Sequence, residues 1–174
     1  MNINQKILKN ISLALLLIIL FSCTKENNNE LIKKFEGEFK DSISKHKAEK
    51  FEYQYDGLVP QSSYLVNGKI KYLTFRHGPE NGSIESMVFF DLSSDSIQKI
   101  IRRKISFEWD DINNLKTEKK TDTTYVILFN PKRKVLRYVG NKLVDSLFDK
   151  SLFENDRTFI YTMKKQTEKK YSSR

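Results

Sequence analysis

Tyr64-Leu65-Val66-Asn67-Gly68-Lys69-Ile70-Lys71-Tyr72-Leu73-Thr74-Phe75 is the stretch whose reading decides the fold. Asn-Gly is the strongest two-residue hairpin signal, because both turn positions require positive φ. Its flanks are rich in β-branched and aromatic residues, so the stretch predicts two antiparallel strands closed by a tight turn. Downstream, Arg76–Ser83 carries His, Pro, Asn and two glycines and reads as a loop. Ser86–Asp91, with Met87-Val88-Phe89-Phe90 at its centre, reads as a short buried strand, and Leu92–Ser96 as a turn. Ile97–Trp109 supports two readings. Ile97, Ile100, Ile101 and Ile105 fit a helix, with Asp95 and Gln98 as a capping box. Ile97, Ile101, Ile105, Phe107 and Trp109 also alternate with Gln98, Arg102, Lys104, Ser106 and Glu108 as the two faces of a strand. The extended reading is taken. Asp110–Asp122 is read as a charged loop. Thr123–Phe129, Lys134–Val139 and Lys142–Phe148 follow, separated by Asn130-Pro131-Lys132-Arg133 and Gly140-Asn141, as a β-meander.

Both ends of this strand-rich region have helical spacing. Leu31, Ile32, Phe35, Phe39 and Ile43 form one stripe in a helix running to about Lys50, with Gly37 a point where it can break or curve. Phe159, Ile160, Met163, Thr167 and Tyr171 form another, with Asn155 or Asp156 as the N-cap. The expected architecture is α+β: an antiparallel sheet of six or seven strands, with an N-terminal and a C-terminal helix packed on it.

The N-terminus has a different character. Lys6 and Lys9 precede an apolar run from Ile11 to Phe21, which ends in Leu20-Phe21-Ser22-Cys23. A positive start, a short apolar middle and a small residue before a cut describe a secretory signal peptide. The run is too short for a transmembrane helix, which needs roughly 20 apolar residues. The Leu-Phe-Ser-Cys ending resembles the lipobox of bacterial lipoproteins, and the Cys-Thr-Lys-Glu start is somewhat similar to surface-export segments of Bacteroidota lipoproteins. The resemblance covers only the N-terminal region. It implies that the Cys23 thiol carries diacylglycerol, that the peptide is cut before it, and that the new amino terminus is acylated, with palmitate as a fitting label. The expected division is a signal peptide at 1–22, a lipidated tether at 23–30 and a single domain at 31–174. The expected place is the cell envelope, lipid-anchored, with the outer membrane as the site, facing the periplasm or the surface.

Composition agrees with that address. Cys23 is the only cysteine among 174 residues, so no disulfide can staple the fold. Cleavage would remove two lysines and lower the formal net charge from +9 to +7. The basic residues form three runs: Lys99, Arg102, Arg103 and Lys104; Lys132-Arg133-Lys134 with Arg137; and Lys164, Lys165, Lys169, Lys170 and Arg174. In a cytosolic protein they would suggest nucleic acid. In the envelope they read first as a solubilising surface, and otherwise as a face for headgroups or acidic glycans; nucleic acid is not expected as a partner.

Catalytic and cofactor patterns are sparse. His46 lies among lysines at the tail of the first helix and is read as a solvated surface residue. His77 closes a strand in Phe75-Arg76-His77-Gly78-Pro79, where loops often carry function. Two histidines without a free cysteine or a second ligand at metal spacing do not make a zinc site. There is no phosphate-cradling glycine loop and no nucleophile elbow. Glu108, Asp110 and Asp111 form an acidic cluster that satisfies neither a glycosidase pair nor a calcium loop. Tyr53 and Tyr55, with Arg76 and His77, are the candidate binding residues, because tyrosine offers apolar area with a polar tip. No catalytic residue, metal or cofactor is assigned. The function expected is a non-catalytic binding or structural module held to membrane lipid through acylated Cys23, with an envelope protein or glycan as partner. The alternatives are a small hydrolase using His77 with a carboxylate, and an immunity or inhibitor-type lipoprotein.

Overall fold

A computed structural model describes residues 30–57, 59–78, 81–112, 115–129, 133–147 and 153–174, with the side chains of 108–119, 147 and 155 outside that description. The stretches expected to be signal peptide and tether, with Cys23, therefore lie outside the described residues. Helix α1 (Glu30–Lys45) leads into strands β1 (Glu49–Phe51), β2 (Gln61–Val66), β3 (Lys69–His77), β4 (Gly82–Phe90), β5 (Ile97–Ile112), β6 (Leu115–Leu128), β7 (Lys134–Val139) and β8 (Lys142–Leu147), and helix α2 (Glu154–Ser172) closes the chain. The strands form one eight-stranded sheet in strict sequence order, every neighbour antiparallel. The α+β architecture expected from the sequence is the one observed. The strand added to the expected set is β1, three residues too short to carry a periodic signal.

The helices lie on opposite faces. Successive strand residues point to opposite sides of a sheet, and neighbours divide between two cores. Tyr72, Phe89, Ile101 and Val126 gather around Phe39 of α1. Leu73, Val88, Ile100 and Ile127 gather around Ile160 and Met163 of α2. This explains the unbroken apolar run Met87-Val88-Phe89-Phe90 of β4: both faces are covered there.

Local chemistry explains most element ends. Asn67 and Gly68 take φ of 52° and 74°, the hairpin geometry expected. Gly82 is required by close approach, because a Cβ there would lie 2.1 Å from the Ile105 carbonyl oxygen. Helix α1 runs unbroken through Gly37. Its N-terminus is capped from another element: the Leu31 amide donates to Asn141 Oδ1 at 3.2 Å.

Several sequence expectations are corrected. The first helix does not run to about Lys50: it ends at Lys45, and Glu49–Phe51 pairs with β2 as β1. Arg76–His77 and Gly82–Ser83, read as loop, belong to β3 and β4. Asp110–Asp122 is not a loop. β5 and β6 continue as a hairpin to Ile112 and Leu115, with the register placing Glu108 opposite Lys119 and Asp111 opposite Lys116. A continuous backbone ladder carries these strands through a charged stretch that has no apolar alternation. Ile97 does not share a face with Ile101. The register slips between Phe89 and Phe90, which pair with Lys99 and Ile97, so Gln98 is extra and Ile97 turns toward α2. Helix α2 begins at Glu154, ahead of both proposed caps, behind a left-handed Phe153 with no side-chain cap bond. Asp156 instead faces Arg102.

Candidate functional site

A groove of about 720 Å³ lies between α1 and the sheet. Ile32, Phe39 and Ile43 of α1, Tyr64 of β2, Thr74 of β3 and Met87 of β4 supply its less polar surface. Phe39 is pinned edge-on by Tyr64 at 5.9 Å, Tyr72 at 5.9 Å and Phe89 at 5.2 Å between ring centroids. That pinning sets the height of α1 above the sheet.

The strand register builds the charged wall. Arg76 stands opposite Glu85, and Glu85 opposite Arg103. Arg76 Nε lies 3.5 Å from Glu85 Oε1. Arg103 grips Asp122 of β6, with Nε to Oδ1 at 3.0 Å and Nη2 to Oδ2 at 2.5 Å. The result is a row of alternating charge across four strands. The hydrogen bond to Asp122 pushes the Arg103 guanidinium above its ordinary value against the effect of burial, with the charges of Asp122, Glu85 and Glu36 adding to it. Glu36 and Lys40 of α1 and Glu52 of the β1–β2 connection complete the rim.

The four candidate residues divide between the faces. Tyr53 and Arg76 line the groove. Tyr53 also stacks on Phe51 at 6.2 Å. Tyr55 packs edge-on against Phe159 of α2 at 6.4 Å. His77 is not a groove residue: it stacks on Phe75 at 6.1 Å, and Phe75 packs on Phe159 at 5.8 Å. Burial, reinforced by Arg102, holds the His77 imidazole below its ordinary pKa, with Asp156 pulling the other way. Arg76 and His77, adjacent in sequence, thus serve opposite faces of β3, as strand geometry requires.

His46 is more engaged than a solvated residue. Its Nδ1 lies 2.9 Å from the Ser42 carbonyl oxygen and 2.5 Å from Tyr72 Oη, and its ring stacks on Tyr72 at 6.0 Å. The end of α1 is thereby seated on β3. Burial raises the Tyr72 phenol above its ordinary value.

The basic runs also resolve into pairs. Lys99 bonds Glu38 of α1 and lies over the Phe89 ring at 4.1 Å. Arg102 is buried beneath α2. It bonds Asp156 Oδ2 at 2.5 Å and Ser86 Oγ at 3.3 Å, stacks 4.9 Å from Phe153, and its Nη2 has no hydrogen-bond partner among the described residues. Arg133 pairs with Glu154 at 2.7 Å, and Arg137 with Asp145 at 3.5 Å. Lys164 is buried between Asp95, at 3.3 Å, and Glu168. Lys71, also buried, donates to the Asp91 and Ser94 carbonyls at 2.9 and 2.8 Å. Burial raises the Asp95 carboxyl, but Lys164 and then Lys71 more than offset this and hold it below the usual range. These pairs fasten the 91–96 loop to β3 and α2. Among the described residues, the first run is therefore largely a set of inter-element ties, and Lys165, Lys169, Lys170 and Arg174 are the exposed part of the third.

Sequence reading did not single out Glu85, Arg103 or Asp122 as a unit. Their association comes from pairing across β4, β5 and β6, which no local spacing displays. Among the described residues, no group of three or more His, Cys, Asp or Glu is placed to hold a metal ion. Also among the described residues, no helix is long and apolar enough to cross a membrane. No protein-family model matches the chain, and neither a curated protein nor a solved structure matches it.

Proposed function

We propose that this chain is a lipid-anchored protein of the cell envelope whose domain is a non-catalytic binding module, with the α1–sheet groove as its ligand surface. The address draws on Lys6, Lys9, the Ile11–Phe21 run and Cys23. The observation that carries the binding reading is the composition of the groove. Its volume of about 720 Å³ falls in the range of ligand clefts. Glu36, Glu52 and Glu85 balance Lys40, Arg76 and Arg103 around the apolar side chains of Ile32, Phe39, Ile43 and Met87. A surface with both charges and apolar area complements a polypeptide segment better than it complements a uniformly acidic glycan.

A photo-crosslinking residue placed at Thr74, in the groove, tests this in cells against the same residue at Ser94. An adduct of defined mass at Thr74, lost when Met87→Arg fills the groove, is expected. Adducts that form equally at Ser94, or that ignore Met87→Arg in a folded protein, contradict the assignment. The hydrolase alternative draws on His77 beside Arg102 and Asp156. Because His77 belongs to the α2 face, His77→Ala is expected to leave the Thr74 adduct intact.

A further inference from the structure

The two helices carry their charge differently. In α1, Glu30, Glu36, Glu38 and Asp41 balance Lys33, Lys34, Lys40 and Lys45. In α2 every acid is engaged by another element. Asp156 bonds Arg102 of β5, Glu168 accepts the Ile70 amide of β3 at 2.8 Å, and Glu154 pairs with Arg133 at 2.7 Å. Lys165, Lys169 and Lys170 are exposed and form no ion pair among the described residues. Ile160, Met163, Lys164 and Thr167 mark the buried side of the helix. At 3.6 residues per turn, Lys165 and Lys169 then stand on the side away from the sheet, with Lys170 beside them. Like charges four residues apart weaken a helix. The negative C-terminal end of α2 favours Lys169 and Lys170 in its last turn, but Lys165 lies further in and has no such compensation.

We infer that the outer side of α2 is an electrostatic membrane face, on which Lys165, Lys169, Lys170 and Arg174 meet the anionic headgroups of the bilayer that holds the Cys23 lipid. This rests on the lipid-anchor reading above. From Cys23 to Glu30 the chain spans at most about 25 Å fully extended, so the domain stays close to that surface. The Leu31 amide bonds Asn141 Oδ1, which sets the start of α1 at the level of the sheet. On the other side of the sheet, α2 adds a body about 10–12 Å thick. That is less than the reach of the chain, so the anchor and α2 can meet one bilayer together. The β5–β6 hairpin projects along the strands and does not stand between α2 and the surface. Tethering keeps the lipid phosphates at high effective concentration around these cations, within the short range over which each adds attraction. An acidic glycan free in the envelope lacks that proximity. Because α1 and α2 cover opposite faces, this orientation turns the α1 groove away from the bilayer and leaves it open to a polypeptide partner.

The acylated Cys23 thiol leaves an introduced cysteine as the sole labelling site, so full-length Gln166→Cys on α2 and Ser44→Cys on α1, both exposed positions, can each carry an NBD fluorophore. Each is reconstituted into vesicles of phosphatidylcholine alone or mixed with phosphatidylglycerol, with and without phosphatidylcholine bearing a headgroup spin label. Flotation reports the anchor, and quenching by the spin label reports which face meets the bilayer. The expected result is flotation of both proteins on both vesicles, with quenching at position 166 only where phosphatidylglycerol is present and none at 44. That quenching is expected to be lost in about 1 M salt, where screening acts within about 3 Å, and in the Lys165→Glu, Lys169→Glu double variant. Floated protein unquenched at 166, quenched there equally without phosphatidylglycerol, or quenched as strongly at 44 overturns the membrane face and leaves the anchor standing. Failure of both proteins to float, with no acyl mass on Cys23, removes the anchor and this inference together.

Discussion

Phe39 holds α1 on the sheet, and its truncation is the sharpest perturbation of the groove. The side chain is 4% exposed and meets three aromatic rings edge-on. Burying a side chain of this size removes about 150–250 Å² from water, an upper bound of about 4–6 kcal/mol. Alanine retains part of that area, and measured Phe→Ala costs at core sites run to about 3–5 kcal/mol. Three edge-to-face contacts of about 0.5–1.5 kcal/mol each place Phe39→Ala toward the upper end, at about 4–5 kcal/mol. Against a total of about 5–15 kcal/mol for a domain, this leaves a marginal protein. Phe39→Leu keeps most of the apolar volume and is expected to cost about 1–2 kcal/mol. Urea titration followed by far-UV circular dichroism measures both, and an unchanged slope confirms that stability alone has moved. A loss below about 1.5 kcal/mol for Phe39→Ala would refute the reasoning, because α1 would then be held by something other than this aromatic cluster.

Other positions follow from the same packing. Gly37→Ala is expected to stabilise by about 0.5–1 kcal/mol, since an added Cβ meets nothing within 4 Å in the interior of α1; a lower urea midpoint would contradict it. Asp156→Ala strips the buried Arg102 of its carboxylate partner and is expected to cost about 1.5–3 kcal/mol, read from the same titration; no change would mean that the pair is idle. His77 is held below its ordinary pKa by burial and by Arg102, so its folded form prefers the neutral ring. Its contribution to stability is complete above about pH 6.5, the unfolded value, and is lost as pH falls through the lower folded value. An NMR titration of His77 with a midpoint at or above about 6.5 would reverse that sign.

Much of the architecture was legible because it is written in short-range chemistry. Asn67-Gly68 specifies its own turn, and the α2 stripe from Phe159 to Tyr171 shows a 3.6-residue period that the structure places against the sheet. What was not legible depends on the register. The slip at Phe89–Phe90 reverses the face of Ile97, and nothing in Ile97–Trp109 announces it. The charged stretch after Asp110 looks like a loop because its strands carry no apolar alternation, yet backbone pairing alone extends the ladder. The candidate site was half legible. Tyr53 and Arg76 reach the groove, while Tyr55 and His77 go to the other face because β3 alternates and Phe159 offers Tyr55 a packing partner. Glu85, Arg103 and Asp122 were invisible as a set, since three consecutive strands must pair before their charges meet.

Intact-mass analysis of the protein extracted from membranes tests the central claim, that Cys23 anchors this domain to lipid. The account predicts a chain that begins at Cys23 and carries diacylglycerol on its thiol, with Cys23→Ala retaining an uncut N-terminus and taking up no labelled palmitate. A chain that still begins at Met1, or one cut before an unmodified Cys23, would contradict it.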